Sequence, residues 1–267
     1  VLFLHGGGQT RHAWGGAAKA LSKLGFHTIC TDLRGHGDST WSSDGGSTLE
    51  VFARDLLALR EHFEEPPIIV GASLGGVSAL KAEAISDSPV AKGLVLVDTT
   101  PRMSASGVTR ILNWMLDGLD GFASLEEAAD AIASYLPHRT RRTDLSGLAK
   151  NLRLGDDGRY RWHWDPEMIR SWNPDHWSDG EAAQAEIQER LDGAAKISIP
   201  VLLIRGRLSD VVSEENAREF LEYVPHAEYI DLKDAAHMVA GDRNDTFTES
   251  VADFILQHFA PEREISR

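Results

Sequence analysis

Short apolar runs alternate along the chain with segments whose hydrophobic residues recur at helical spacing. The runs are rich in Val, Ile and Leu, as buried parallel strands are. They predict strands at 1–4, 26–32, 67–72, 93–98, 200–205 and 227–232. Between them, segments such as 49–63 and 246–259 carry apolar residues three and four positions apart, which is typical of amphipathic helices. The alternation predicts an α/β fold with a mostly parallel sheet covered on both faces.

The alternation stops between residues 101 and 196. This segment lacks a clear strand pattern and shows helical spacing around 103–117, 124–136 and 181–192. It contains five of the seven tryptophans: Trp114, Trp162, Trp164, Trp172 and Trp177. We therefore predict a helical insertion at 101–196, within a core formed by 1–100 and 197–267.

The composition indicates an ordinary globular protein and disfavours two classes of partner. The 267 residues are 42% hydrophobic and 25% charged, with a net charge of −14. Nucleic acids and anionic membrane surfaces both need clustered Lys or Arg, so neither is an expected partner. No apolar run approaches the roughly 20 residues of a membrane span. We expect a monomer or homodimer that acts on a small-molecule substrate.

Cysteine content bears on the cellular location. The single cysteine, Cys30, lies in a predicted strand and cannot form an internal disulfide. A reducing compartment fits this, so we predict a cytoplasmic protein. The chain begins without Met and inside an apolar run, which suggests truncation. A lost signal peptide therefore stays an alternative.

The segment Gly71-Ala72-Ser73-Leu74-Gly75 joins a predicted strand to a predicted helix. A serine between two glycines at such a turn is the pattern of a nucleophile elbow, in which a tight turn exposes the hydroxyl above the sheet. The helix that follows directs its amides and its dipole at the place where negative charge develops. We predict that Ser73 is a nucleophile. The alternative is a small residue selected only for the turn.

Polar residues also follow other predicted strands. His5-Gly6-Gly7-Gly8 follows the first strand, Asp210 follows the strand at 200–205, and His237 follows the strand at 227–232. Serine, acid and histidine in this chain order resemble the α/β-hydrolase superfamily. The resemblance covers residues 1 to about 258. It implies a sheet of the α/β-hydrolase type that lacks the first two strands usual in the superfamily.

The resemblance implies roles for these residues. His237 would be the base and then the general acid, because an imidazole titrates near neutrality. Asp210 would fix the tautomer of His237. Asp98, which also ends a strand, is the rival for this role, and otherwise we expect it to make a supporting hydrogen bond near the insertion.

An oxyanion hole is expected to combine the N–H groups of Leu74 and Gly7, with Gly8 as the alternative donor. The stretch 32–39 also resembles a loop of the superfamily. We expect a structural role for it, with Arg34 and Asp38 as hydrogen-bonding partners within the loop, and His36 is an unfavoured alternative base. The glycines do not match a nucleotide-binding motif, and no cluster has metal-ligand spacing. We therefore predict neither a cofactor nor a metal.

The position of the insertion implies a cap over Ser73, because members of the superfamily carry their lids there. The alternative is a peripheral helical addition whose aromatic residues pack among themselves. If it is a cap, its aromatic content indicates a small or medium apolar acyl group. We place Trp14, Trp41 and Met238 near the substrate pocket.

The nucleophile type narrows the chemistry. Ser73 excludes the branches of the superfamily that carry Asp or Cys at this position, such as epoxide hydrolases or dienelactone hydrolases. We predict a serine hydrolase that cleaves carboxylic esters through an acyl-enzyme. A lactonase, a carbon–carbon bond hydrolase acting on diketones, and a perhydrolase or haloperoxidase would use the same triad. A ligand receptor on a hydrolase fold, without catalysis, is the alternative from another class.

Overall fold

The computed structural model describes residues 1–41, 47–137, 143–172, 180–237, 239 and 244–259. Strands and helices follow one another in the order β1 (Leu2–Leu4), α1 (Gly15–Lys23), β2 (Ile29–Thr31), α2 (Leu49–Arg60), β3 (Ile68–Ala72), α3 (Leu74–Ile85), β4 (Gly93–Val97), α4 (Ala105–Asp117), α5 (Leu125–Tyr135), α6 (Ser146–Ala149), β5 (Leu152–Leu154), β6 (Tyr160–Trp162), α7 (Pro166–Ser171), α8 (Glu181–Ala194), β7 (Val201–Gly206), α9 (Glu214–Tyr223), β8 (Glu228–Leu232) and α10 (Asn244–Phe259).

The core of the fold is a parallel six-stranded sheet in the order β2-β1-β3-β4-β7-β8. Each of the six apolar runs contributes one of these strands, so the predicted fold class is confirmed. The central strands β1, β3, β4 and β7 are almost completely buried, because helices cover both faces of the sheet.

The register of the central strands determines where the site can form. Ala72 at the end of β3 pairs with Val97 at the end of β4, and Val97 pairs with Ile204 in β7. The residues after these strands therefore emerge at one edge of the sheet, where parallel α/β folds place their ligand sites.

The two faces of the sheet have separate hydrophobic cores. One contains α1 and α10, with Trp14 packed between Phe3 and Phe247 at ring-centroid distances of 5.3 and 5.9 Å. The other contains α2, α3 and residues of the segment between β4 and β7. This second face connects the sheet with that segment.

The segment 101–196, which we call the inserted segment, is not entirely helical. Leu152–Leu154 and Tyr160–Trp162 pair as an antiparallel hairpin, so the expectation that no strand occurs here is wrong. Each strand has only three residues, too few for alternation to be recognised in the sequence. A turn at 155–158 joins the strands, with Gly158 at a φ of 76°.

The aromatic residues of the inserted segment pack closely on one another. The rings of Trp162 and Trp164 stack with centroids 5.1 Å apart, and Trp114 lies 5.4 Å from Trp162 and 4.7 Å from Tyr135. At the other end of the segment, α8 packs on α3, since a methyl group at Gly193 would lie 2.5 Å from Cβ of Ala84. The boundaries of the inserted segment, 101 and 196, stay a prediction.

Across the described residues, no helix combines the length and hydropathy needed to cross a membrane.

The contact between α3 and β1 gives a test of the fold. A Cβ at Gly75 would lie 2.5 Å from the Leu4 carbonyl oxygen, which is too close for any side chain. We expect Gly75→Ala to lower the free energy of unfolding by about 1–3 kcal/mol, as overpacking does. Gly15→Ala is the matched control, because its Cβ would meet nothing within 4 Å. Equal urea-denaturation midpoints for the two variants would contradict the packing described here.

Candidate active site

Ser73 occupies a strained turn between β3 and α3. Its φ is 45° and its ψ is −115°, a backbone conformation that non-glycine residues rarely adopt. Its N–H donates to the Val97 carbonyl at 3.1 Å and its carbonyl accepts from the Val77 N–H at 2.9 Å, so both sides of the turn are fixed. Strain of this kind is typical of functional positions.

The glycines around Ser73 are required by close contacts. A Cβ at Gly71 would lie 2.7 Å from Cα of Gly76, and one at Gly76 would lie 2.2 Å from Cγ2 of Thr99. A Cβ at Gly6 would lie 3.3 Å from Cβ of Ser73. The loop after β1 therefore lies directly against the predicted nucleophile.

Asp98 and His237 form a hydrogen-bonded pair. Nδ1 of His237 lies 2.7 Å from Oδ2 of Asp98, and the Asp98 side chain is fully buried, while that of His237 is 15% exposed. Asp98 also accepts from the Gly206 N–H at 2.9 Å and from the Ser209 hydroxyl at 2.5 Å. A buried carboxylate needs such donors to offset its lost hydration. Like Ser73, Asp98 has a positive φ, 48°.

Asp210 lies elsewhere, and the expectation that it is the partner of His237 is corrected. Its carboxylate pairs with Nε of Arg110 in α4 at 2.9 Å and is 38% exposed. Ser209 turns inward toward Asp98, and Val211 and Val212 are fully buried. In this tight turn Asp210 faces outward. Asp98, the rival in the sequence, is therefore the acid in contact with His237.

The loop after β1 leaves one amide available. The Gly6 N–H donates to Oε1 of Gln9 and the Gly8 N–H donates to Nε2 of His36, each at 3.1 Å. Within the described part of the chain, the Gly7 N–H makes no hydrogen bond. Leu74 is the first residue of α3, where a backbone N–H has no partner in the helix. This geometry favours Gly7 over Gly8 as a donor to an oxyanion.

Comparison with known proteins agrees with this architecture. The family model described as alpha/beta hydrolase fold matches residues 1–243. The chain belongs to the α/β-hydrolase family. The resemblance in the sequence is thus confirmed.

Several members of the α/β-hydrolase family are similar over most of the chain. Esterase Rv0045c of Mycobacterium tuberculosis is 29% identical over 260 residues, which cover 94% of this chain and 80% of that protein. A 3-hydroxybutyrate-oligomer hydrolase of Cupriavidus necator is 26% identical over 250 residues, covering 89% and 82%. A crystal structure of Rv0045c superposes with a TM-score of 0.72 at 28% identity, covering 95% of this chain and 83% of that one.

The residues predicted to line a pocket have different surroundings. Trp14 is 1% exposed within the hydrophobic core and is not near the site, so that prediction is wrong. Trp41 donates to the Gly37 carbonyl at 3.3 Å and lies beneath the Arg153 guanidinium, 5.2 Å from its ring centroid. Met238 is outside the described residues. The placement of Trp41 near the pocket stays a prediction.

Trp172, which is not among the residues predicted for the pocket, contacts the loop after β1. A Cβ at Gly7 would lie 3.4 Å from Cζ3 of Trp172, and one at Gly8 would lie 3.0 Å from Cε of Met115 and 3.3 Å from Cζ3 of Trp164. The indole N–H of Trp172 donates to the Ser47 carbonyl at 3.0 Å, which fixes its ring. No signal in the sequence could reveal this contact, because Gly7 and Trp172 lie far apart in the chain and meet only in the folded structure.

The stretch 32–39 makes its ion pairs mainly outside itself. Arg34 binds Asp55 of α2 at 2.8 and 2.6 Å. Asp38 pairs with Arg11 at 2.6 Å and with Arg153 of the inserted segment at 3.2 Å. The ion pairs of Arg34 and Asp38 thus join the loop to other elements, where partners within the loop were expected. No group of three or more His, Cys, Asp or Glu side chains suited to a metal ion occurs among the described residues.

Two buried histidines support the loop after β1. Burial lowers the pKa of His5 to about 4 and that of His36 to about 3, and the nearby His5 further lowers the pKa of His36. Both imidazoles are therefore neutral near pH 7. Nε2 of His5 accepts from the Leu33 N–H at 2.9 Å, and this bond requires the unprotonated nitrogen.

These lowered pKa values predict acid sensitivity. In the unfolded chain both histidines titrate near the ordinary value of about 6.5. Between pH 6.5 and 4 the unfolded chain then binds more protons than the native one, so stability falls as the pH falls. Each histidine contributes a slope of up to about 1.4 kcal/mol per pH unit.

Urea denaturation between pH 7.5 and 5 measures this slope. We expect His36→Gln to reduce it by about one histidine's share. His62→Gln is the matched control, because His62 is exposed and its substitution removes no buried imidazole. A wild-type stability that stays constant from pH 7.5 to 5 would show that the buried histidines are not held neutral.

Proposed function

We propose that the protein hydrolyses carboxylic esters through an acyl-enzyme, with Ser73 as nucleophile, His237 as base and Asp98 as the acid that orients His237. The hydrogen bond between His237 Nδ1 and the buried Asp98 carboxylate is the observation that carries this proposal. The similarity to proteins named as an esterase and a hydroxybutyrate-oligomer hydrolase supports the choice of ester bonds.

The first role is activation of the nucleophile. A serine hydroxyl is a weak nucleophile near neutral pH and needs a base to remove its proton. The carboxylate at Nδ1 favours the tautomer of His237 whose Nε2 is unprotonated, so Nε2 is free to accept the proton of Ser73. As that proton moves, the Asp98 charge stabilises the imidazolium that forms.

The second role is stabilisation of the tetrahedral intermediate. Attack of Ser73 Oγ on the ester carbonyl forms a carbon–oxygen bond and moves the carbonyl electron pair onto oxygen. We infer that the N–H groups of Gly7 and Leu74 donate to this oxyanion. Donors that are already fixed before the reaction need no reorganisation, and one such donor contributes about 10²–10³ in rate.

The remaining steps restore the enzyme. Collapse of the intermediate breaks the bond to the alcohol, which leaves with the proton held by His237. The acyl group then resides on Ser73. His237 next removes a proton from water, the water oxygen attacks the acyl carbon, and Ser73 regains its proton as the carboxylic acid departs.

The inserted segment is the cap in this proposal. Trp172, Trp164 and Met115 all lie against Gly7 or Gly8, so an acyl group bound at the oxyanion hole would meet an apolar surface. This supports an apolar acyl ester as substrate. The monomeric or dimeric state and the cytoplasmic location stay predictions.

Asp98 and Asp210 can be distinguished by a matched pair of substitutions. We expect Asp98→Asn to lower kcat for a p-nitrophenyl ester about 10³–10⁴-fold, because the amide favours the wrong tautomer of His237. Asp210→Asn makes the same chemical change at an exposed ion pair, and we expect an effect of less than about threefold. Ser73→Ala should lower kcat for the same ester by several orders of magnitude.

Circular dichroism and thermal denaturation verify that each variant is folded. A larger loss in Asp210→Asn than in Asp98→Asn would overturn the assignment of the acid. A folded wild type that turns over no ester would overturn the proposed reaction. Tight binding of an ester that is never cleaved would then favour the receptor alternative.

Trp172 gives a test of substrate size. Because its ring lies against Gly7, we expect it to limit the space for the acyl chain. Trp172→Ala should shift the preference in a p-nitrophenyl ester series from short toward longer acyl chains, changing the ratio of kcat/KM for C8 over C2 by about tenfold or more. Trp41→Ala in the same series tests the sequence prediction that Trp41 also lies near the pocket. An unchanged ratio in Trp172→Ala would place the acyl chain elsewhere.

A further inference from the structure

His36 is a buried histidine that uses both ring nitrogens in hydrogen bonds to backbone. Nδ1 lies 2.9 Å from the Arg34 carbonyl and Nε2 lies 3.1 Å from the Gly8 nitrogen. A carbonyl can only accept and an amide N–H can only donate. Nδ1 must therefore carry the proton, and Nε2 must be the acceptor for Gly8.

This arrangement fixes the peptide that follows Gly7. Gly8 has a φ of 75°, and its N–H belongs to the peptide unit that links it to Gly7. The Gly7 N–H belongs to the preceding peptide unit, whose Gly6 carbonyl accepts from the Gln9 N–H at 3.1 Å, so both peptide units that meet at Gly7 are held. The direction of the Gly7 N–H depends on both anchors.

His36 also joins this loop to the inserted segment. It forms an isolated antiparallel bridge with Trp164. On either side, the Asp165 N–H donates to the Gly35 carbonyl and the Gly37 N–H donates to the His163 carbonyl, each at 2.7 Å. The backbone around His36 thus forms the seam between core and insertion.

The surroundings keep the imidazole in place. The His5 ring meets the His36 ring edge-to-face with centroids 4.8 Å apart, and both side chains are fully buried. Nδ1 of His5 lies 2.8 Å from the Gly6 carbonyl. Two neutral histidines therefore hydrogen-bond to the same loop, His5 at the Gly6 carbonyl and His36 at the Gly8 N–H.

We propose that His36 is a positioning residue that aims the Gly7 N–H at the oxyanion by accepting the hydrogen bond from Gly8, and that it transmits the position of the inserted segment to the oxyanion hole. This rests on the proposed function of Gly7. Ser73 attacks without help from His36, and the contribution of His36 is confined to the stabilised intermediate.

The first experiment compares three variants. His36→Phe keeps a ring of similar size but removes the acceptor, while His36→Gln retains a side-chain oxygen that can accept from Gly8. His163→Phe is the matched control, since His163 lies in the same seam and does not bind the loop after β1 through its ring. Active-site titration with a fluorophosphonate counts the functional Ser73 in each preparation, so losses from misfolding are removed from kcat.

We expect His36→Phe to lower kcat per active site about 10–100-fold with KM within about threefold, somewhat less than removal of an oxyanion donor itself. Affinity for a trifluoromethyl ketone, which forms a tetrahedral adduct, should fall by the same factor. His36→Gln should recover most of both quantities, and His163→Phe should change neither. Equal kcat and equal ketone affinity in His36→Phe and wild type would overturn the proposal.

A second measurement needs no substitution and no substrate. Nitrogen-15 chemical shifts of the histidine rings in the wild-type protein report tautomer and protonation. We expect His36 to be neutral with the proton on Nδ1 from pH 5.5 to 8. A proton on Nε2 would overturn the proposal even if His36→Phe did not fold. Absence of turnover in the wild type would instead count against the proposed function.

Discussion

The site depends on how closely α3 approaches the sheet at the turn containing Ser73. Gly71 and Gly76 face each other across that turn, Gly75 lies against the Leu4 carbonyl, and Gly76 lies against Thr99. Any side chain at these glycines would force the helix away from β1 and β4. This contact brings together the ends of β1, β3 and β4, which are far apart in the chain. The strain at Ser73 follows from it.

Burial of a charged group is the second constraint on the site. Removing a carboxylate from water costs several kcal/mol unless donors surround it. Asp98 meets this requirement with the Gly206 N–H, the Ser209 hydroxyl and His237. Ser209 in turn accepts from the Val211 and Val212 N–H groups at 3.1 Å. The loop after β7 thus serves the acid that ends β4, and His237 has one well-defined orientation.

The inserted segment has a dual relation to the core. Its aromatic residues form their own cluster, as the peripheral interpretation expected, yet Trp164 and Trp172 also lie against the loop that follows β1. The hydrogen bonds of Gly35 and Gly37 to the segment fix this contact through backbone groups, which do not depend on side-chain identity. A change in the position of the segment would therefore reach the loop that carries Gly7.

The sequence by itself determined the six parallel strands, the strand-to-helix turn at Ser73 and the α/β-hydrolase family, because apolar runs and glycines at a tight turn are local signals. It favoured Asp210 over Asp98 as the partner of His237, since both follow a strand and only the orientation of each side chain in the folded loops separates them. It likewise missed the hairpin at β5 and β6, and it placed Trp14 at the site although the ring packs on Phe3 and Phe247. The hairpin was missed because its strands are so short, whereas contacts between distant residues decided the other points, and such contacts exist only once the sheet register and the helix packing are fixed.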